Sequence, residues 1–298
     1  MSSLFDLLYG LLEPWLLLSL AAGYLPKTIV GIVKRGAWAT FGNWSAFSSE
    51  WFAVVWTVGG PMVRAGAESK VVPLLQGRVR AGAVVPVDVA TQCGVGGTVI
   101  EIGPGSGMWV SIFSDKYVTG GPEVKDGKPV FKKGERSRVD KVYGIEPNPG
   151  QHPALRARAK DAGLEGRYEI VPVGIEDIAG RHIAKESVDA IVTVLCLCSI
   201  PDQEKNVAEL YQYLKPGGRW FVYEHVKSHP SQGEAISLYQ RALNLIWPTF
   251  MGGCDLCRRT EKSLRAAGAW ADVDLAMPVD EPWWATTPHL YGILTKPE

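Results

Sequence analysis

Thr98-Val-Ile-Glu-Ile-Gly-Pro-Gly-Ser-Gly-Met-Trp-Val110 is the stretch whose reading decides the fold. Thr98 to Ile102 is a short apolar run interrupted only by Glu101, the pattern of a buried parallel strand. Gly103, Gly105 and Gly107 follow at once. Glycines between a strand and a helix let the backbone turn sharply and approach a ligand closely, because no Cβ intervenes. A helix is expected over Met108 to Phe113, and its free N–H groups and positive dipole end suit a carboxylate or a phosphate. A dinucleotide site has similar glycine spacing. Glu101 argues against one, since its carboxylate would take up an ammonium group and repel a pyrophosphate.

Downstream, strand and helix patterns alternate. Lys141-Val-Tyr-Gly-Ile-Glu146 reads as a second strand ending in a carboxylate, where such a group can accept both hydroxyls of a ribose. Its distance from the glycine loop exceeds the usual spacing of roughly 20 residues. A Gly-, Pro- and charge-rich insertion, Gly120 to Arg138, accounts for the excess, with a small hairpin expected around Asp126-Gly127. Pro147-Asn148-Pro149 turns into a helix over Leu155 to Ala162. Tyr168 to Val171 is the third strand, and Gly174-Ile-Glu-Asp177 follows it. Ser187 to Leu195 is an almost continuous β-branched run, the fourth strand, whose carboxyl end at Leu195-Cys196 falls at the switch point of such a sheet. Gln203 to Leu214 places Val207, Leu210, Tyr211 and Leu214 on one helical face. Lys215-Pro-Gly-Gly218 ends that helix, and Arg219 to Glu224 is the fifth strand.

Glu101-Ile-Gly-Pro-Gly-Ser-Gly107 resembles the first motif of class I S-adenosylmethionine (SAM) methyltransferases, and Leu-Lys-Pro-Gly-Gly before the fifth strand is a second signature of that family. The resemblance implies an α/β fold: a Rossmann-like, doubly wound, mostly parallel seven-stranded sheet with an N-terminal helical extension. It implies S-adenosyl-L-methionine as cofactor. Glu101, Gly103, Pro104, Gly105, Ser106 and Gly107 would hold its amino-acid end, and Glu146, Pro147 and Asn148 its ribose. Ile175, Glu176 and Asp177 would lie at the adenine, although Glu176 and Asp177 read equally well as an acidic pair at a helix N-terminus. Leu195 and Cys196 would close the site at the end of the fourth strand.

Four pieces of the carboxyl third narrow the resemblance. Cys198-Ser-Ile200, Glu224-His-Val226, Gly253-Cys-Asp-Leu256 and Pro288-His-Leu-Tyr-Gly292 resemble, in order, the microsomal alkyl thiol methyltransferases of the methyltransferase-like group. The similarity runs from about Val99 to the C-terminus, apart from the insertion. It implies methyl transfer to small-molecule thiols and an N-terminal membrane-associating segment. Glu146 departs from the aspartate of animal members but keeps the carboxylate. Enzymes of secondary metabolism share this core, so oxygen, nitrogen and carbon acceptors stay open. So do a cyclisation that uses SAM only as a bound group, and a non-catalytic SAM-binding protein.

Methyl transfer from a sulfonium depends on alignment more than on a strong acid or base. His225, following Glu224 at the end of the fifth strand, is the first candidate for a base or for orienting the acceptor, against a structural hydrogen-bonding role. His289 and Tyr291 flank the start of the last strand and are the next candidates, with packing as the alternative. Trp247, Trp283 and Trp284 would wall an apolar pocket for a small, largely apolar acceptor. Cys254-Asp-Leu-Cys257 is a C-x-x-C, and Cys196 and Cys198 are also close. The two pairs lack the spacing of a structural zinc module and no thioredoxin-like context surrounds them, so neither a metal nor a redox dithiol is expected.

Composition agrees with this reading. Lys+Arg and Asp+Glu are both 31 in 298 residues, so no global electrostatic case exists for nucleic acid. Five cysteines form an odd set without a disulfide-framework pattern, which fits a reducing, cytoplasmic compartment. Residues 1–93 form an apolar, aromatic-rich extension, and residues 94–298 the methyltransferase domain, joined through Gly94-Val-Gly-Gly97. In the run Leu4 to Leu25, Asp6, Glu13-Pro14 and Pro26-Lys27 are expected to leave pieces shorter than the roughly 20 residues of a membrane span. A helical lid, a peripheral membrane contact and, last, a true span are the readings of this segment, and no basic start marks a secretory signal. Trp44, Phe47, Trp51, Phe52 and Trp56 fall at helical steps, as core packing or as a substrate wall.

Overall fold

The computed structural model describes residues 4–86, 94–114, 139–178 and 183–298, with the backbone alone at 123–125 and 128–130. Helix α1 spans Leu4–Lys34 and passes through both Pro14 and Pro26. The expected breaks at these prolines do not occur. Each proline removes one donor from the ladder, but Leu- and Ala-rich turns on either side carry the helix across, and Pro14 itself is buried. The unbroken helix is long and apolar enough to cross a membrane by length and composition alone, with only 22% of its most apolar window buried.

Helix α2 (Trp44–Leu75) begins at Asn43, whose side chain accepts from the Ala46 N–H at 3.1 Å. Its aromatic stripe divides between two tasks. Trp51 donates its indole N–H to the Ala21 carbonyl of α1 at 2.9 Å, while Phe52 stacks on Trp56 further along. A small hairpin follows, β1 (Val79–Arg80) and β2 (Ala83–Val84).

The main elements follow in chain order: β3 (Gly97–Ile102), the pair β4 (Glu123–Lys125) and β5 (Lys128–Val130), β6 (Val139–Ile145), α3 (His152–Asp161), β7 (Tyr168–Val171), β8 (Val188–Val194), α4 (Gln203–Tyr211), β9 (Leu214–His225), α5 (Glu234–Asn244), α6 (Trp247–Phe250), α7 (Thr260–Ala266), β10 (Asp272–Ala276) and β11 (His289–Thr295). Seven strands form one sheet in the order β10-β11-β9-β8-β3-β6-β7. The pairs among β9, β8, β3, β6 and β7 are parallel, and β11 runs antiparallel to both of its neighbours. The order reverses between β3 and β8, so ligands are expected at the carboxyl ends of these two strands. β4 and β5 pair antiparallel across Asp126-Gly127, which lie outside the described residues, as does most of the insertion.

Two cores cover the two faces of the sheet. On β3, Val99 faces the side packed by the end of α2, and Ile100 faces the side packed by α4 and α7, as the period of two requires. Fully buried side chains of this kind contribute about 1.5–3 kcal/mol each. Gly82 of the β1–β2 turn accepts the Val279 N–H, and the Ala81 N–H donates to Asp274, so this hairpin docks at the β10 edge.

Two expectations fail locally. After the glycine loop there is only a 3-10 turn, Val110–Phe113, in place of the amphipathic helix. Met108, Trp109, Val110, Ile112 and Phe113 are all buried, so the segment has no solvent face on which to build one. Lys215-Pro-Gly-Gly218 does not end a helix, because α4 stops at Tyr211 and these residues lie inside β9. They form a bulge: Val188 opposes Leu214 while Ala190 opposes Arg219, with Gly217 at φ +70°.

Candidate active site

The glycine loop is held from three sides. Gly103 and Gly105 have positive φ, and a Cβ on Gly103 would lie 2.8 Å from the Cys196 Cβ. A Cβ on Gly105 would approach the Trp56 indole nitrogen of α2 to 3.1 Å. Arg64 of α2 and Arg158 of α3 donate to the loop carbonyls of Met108 and Ser106. α2 also closes on the neighbouring turn, where Asn148 donates its side-chain amide to the Ser49 carbonyl at 2.9 Å. The helical extension therefore covers the loop.

Glu101 and Glu146 are both buried, and no lysine or arginine is ion-paired with either among the described residues. Glu101 accepts the Tyr168 hydroxyl at 2.5 Å. Tyr168 reaches it because Gly144 leaves the space that its ring fills; a Cβ there would lie 2.4 Å from the hydroxyl oxygen. Burial pushes the Glu101 carboxyl up to about 7, with the Tyr168 bond opposing that rise and Glu146 adding to it. Glu146 accepts the Gly105 N–H at 2.8 Å on one oxygen and the Asn148 N–H at 2.8 Å on the other. Burial raises its pKa too, and these two backbone bonds oppose the rise. Each oxygen keeps acceptor capacity for a further donor.

These features fit SAM. Two buried carboxylates with no lysine or arginine paired to them among the described residues suit a cationic ligand, and the Ser106 hydroxyl in the same loop is buried without a partner. The N–H groups of the three loop glycines are already taken, by the Ile145 carbonyl, the Glu146 carboxylate and the Pro104 carbonyl, so the loop is held closed by its own backbone. Pro104 is buried and Pro147 exposed. Ile175 is buried in the 3-10 turn Ile175–Asp177, whereas Glu176 and Asp177 are exposed beyond the end of β7.

At the end of β8, Leu195 holds φ +55°, rare for a branched apolar residue, and redirects the chain. Glu224 at the end of β9 makes this turn stable. Its carboxylate, fully buried, accepts the Cys196 N–H at 2.9 Å and the Leu197 N–H at 3.0 Å on one oxygen, and the Cys196 thiol at 3.3 Å on the other. Burial raises its pKa to about 7 against these bonds. Sequence reading missed this role, because an acid before His225 carries no sign of what it binds 28 residues away.

His225, His289 and Tyr291 are brought together, but with different commitments. His289 stacks on Tyr223 at 4.5 Å and 6°, lies 4.8 Å from the His225 ring, and pairs through Nδ1 with Glu281 at 2.9 Å. Burial lowers its pKa more than Glu281 raises it. The ring is thus neutral at pH 7, donating Nδ1–H to Glu281 and leaving Nε2 as an acceptor. Tyr291 is tied elsewhere: its hydroxyl donates to the Lys70 carbonyl of α2 at 2.8 Å.

The tryptophans also separate. Trp247 is buried in a cluster with Leu18 of α1, Cys198 and Cys254. Trp284 is buried with its indole against Gly10 of α1, where a Cβ would come within 2.9 Å of the ring nitrogen. Trp283 is 56% exposed and touches Trp284 edge-on at 5.6 Å. α1 thus packs against both buried tryptophans and is anchored where the Tyr239 hydroxyl donates to the Leu11 carbonyl at 2.6 Å.

The doubly wound sheet, the acidic glycine loop at its switch point and the carboxylate on the neighbouring strand define a class I SAM-dependent methyltransferase. A methyltransferase-domain family model matches residues 82–269, well over half the chain, and the chain belongs to that family. Among curated proteins it is 35% identical over 158 residues to the thiol S-methyltransferase TMT1B of Rattus norvegicus, covering 52% of this chain and 62% of that protein. It is 31% identical over 159 residues to the thiol S-methyltransferase TMT1A of Homo sapiens, with the same coverage. The 24-methylenesterol C-methyltransferase 2 of Arabidopsis thaliana is 28% identical over 164 residues, 53% of this chain and 43% of that one. A solved structure from Nostoc punctiforme PCC 73102, provisionally named an O-methyltransferase, shares the fold at 11% identity with a TM-score of 0.51, covering 96% of this chain and 71% of that one. The chain thus spans less than two thirds of the thiol methyltransferases it matches.

Proposed function

We propose that this protein transfers a methyl group from SAM to a small, largely apolar acceptor, with a thiol as the preferred nucleophile. The observation that carries the reading is the pair of buried acids, Glu101 and Glu146, around a glycine loop whose Ser106 hydroxyl has no partner. When bound there, SAM supplies an electrophilic sulfonium methyl. Glu101 holds the ammonium end, Glu146 the ribose hydroxyls, and the Leu195–Cys196 turn fixed by Glu224 closes the site towards the acceptor.

The acceptor side is largely apolar, formed by Trp247, Trp284 and α1, with His225 and the His289–Glu281 pair as its polar groups. A thiol is already partly ionised near neutral pH and needs little help from a base, which matches a neutral, partly buried His289 better than a strongly basic group would. The thiol S-methyltransferase relatives support this choice of nucleophile. The outer face of α1, with Leu4, Phe5, Leu8, Leu12 and Leu16 exposed, serves as a lipid contact that brings apolar acceptors to the site.

The test is release of S-adenosylhomocysteine with a panel of alkyl thiols, phenols and amines. Release that depends on thiol, and is at least several-fold faster than with the matched alcohol, is the expected result. Release with phenols or amines alone would overturn the thiol assignment.

A further inference from the structure

Cys198, His225 and Cys254 come from three separate places: the turn after β8, the end of β9 and the loop after α6. Their ligand atoms all lie within 4.8 Å of one another, and Cys254 Sγ is 3.9 Å from His225 Nδ1. A tetrahedral zinc, with bonds of about 2.3 Å to sulfur and 2.0–2.1 Å to nitrogen, sets such donors roughly 3.5–3.8 Å apart. The cluster is therefore almost at metal-binding distances already.

Its frame is fixed. The Asp255 N–H donates to the Cys198 carbonyl at 2.9 Å, which clamps the Cys254 loop onto the turn after β8. Asn244 donates to the Asp255 carboxylate at 2.8 Å and accepts the Leu256 N–H at 2.8 Å, so the loop is also held from α5. Cys198 and Cys254 are 1% and 5% exposed, whereas His225 is only partly buried. The expectation of no metal treats each cysteine pair as a unit. The fold instead takes one cysteine from each pair and adds a histidine; Cys196 is committed to Glu224, and Cys257 lies outside the cluster.

We propose that Cys198, His225 and Cys254 bind a zinc ion with three protein ligands and one open position. Two thiolates and one imidazole are a donor set that favours zinc over hard cations. Closed structural sites fill all four positions, whereas three protein ligands leave a place for an exchangeable one. Cys198 lies only two residues from the Cys196 that packs on the glycine loop, and the open position goes to the acceptor. A thiol entering it exchanges for the bound water and binds as the thiolate, its proton passing to solvent. Use of the open position by the acceptor rests on the methyltransferase reading above; the metal site itself does not.

The experiment uses the full chain, reduced and freed of metal by a chelator, titrated with zinc and separately with cobalt(II). A single equivalent of zinc should bind and withstand competition by a chromophoric chelator. Cobalt should give a thiolate charge-transfer band. Cys198→Ser and Cys254→Ser should each lose both, while Cys257→Ser keeps them. Adding butanethiol should shift the cobalt spectrum. No zinc uptake, or uptake equal in all three variants, overturns the site, and an unchanged cobalt spectrum on adding thiol overturns the open position. SAM affinity is measured on every sample. Retained SAM binding shows that each variant is folded, and separates failure of the metal site from failure of the methyltransferase reading.

Discussion

Glu101 joins burial to cofactor chemistry in one side chain. Its pKa rises from 4.5 to about 7 in the folded protein, chiefly by burial. In the cofactor-free protein its contribution to stability is full below pH 4.5 and is lost as pH rises through about 7. A bound ammonium favours the carboxylate, so SAM binding below pH 7 should expel a proton. Calorimetry in buffers of different ionisation enthalpy should show this release, and Glu101→Gln should abolish it. The same variant should weaken SAM by about 10- to 100-fold, given about 1.5–3 kcal/mol for a hydrogen bond to a charged group. Unchanged affinity and no proton release in the wild type would place the ammonium elsewhere. Gly103→Ala should be worse, since its Cβ would lie 2.8 Å from that of Cys196 at a φ of +60°. The backbone strain alone costs about 1–2 kcal/mol, and thermal denaturation with and without SAM should show both lower stability and lost ligand protection.

At the scale of elements, the two N-terminal helices divide their work. α2 is bound into the domain: Trp56 meets the glycine loop, Ser49 holds Asn148 and Lys70 receives the Tyr291 hydroxyl. Tyr291→Phe should therefore lower stability by about 0.5–1.5 kcal/mol in urea unfolding and leave the response to thiol concentration unchanged; a large loss of turnover at full stability would contradict this. α1 is bound on one face, through Gly10, Leu11, Leu18 and Ala21, and leaves Leu8 and Leu12 at 50% and 58% exposure. If that face enters the lipid interface, Leu8→Glu with Leu12→Glu should reduce vesicle binding at least about 100-fold, at about 1.5–3 kcal/mol per side chain. Flotation with neutral and anionic vesicles measures it, and equal flotation of variant and wild type would remove α1 as the lipid contact.

For the whole molecule, the central sheet was legible in the sequence because its strands are buried runs with acids and glycines at their ends. Tyr168 to Val171 matches β7 residue for residue. Departures arise where long-range packing overrides local pattern. α1 continues through two prolines, the segment after the glycine loop is too buried to be amphipathic, and Lys215-Pro-Gly-Gly218 becomes a bulge inside β9. The same limit applies to the site. Glu101 and Glu146 announce themselves next to glycines and at a strand end. Glu224 on Cys196, Glu281 on His289, and the meeting of Cys198, His225 and Cys254 depend on the tertiary fold and leave no local trace. The elements that bring them together are the ends of β8 and β9, beside the switch point, with the loops after α6 and before β11, and the proposed SAM site shares those strand ends.

The most direct test of that architecture is a calorimetric titration of the full chain with SAM, repeated in the presence of S-adenosylhomocysteine. One site per chain is expected, with competition between the two ligands and loss of binding in Glu146→Ala. Absence of a binding heat at any temperature, with no shift in thermal denaturation, would contradict it.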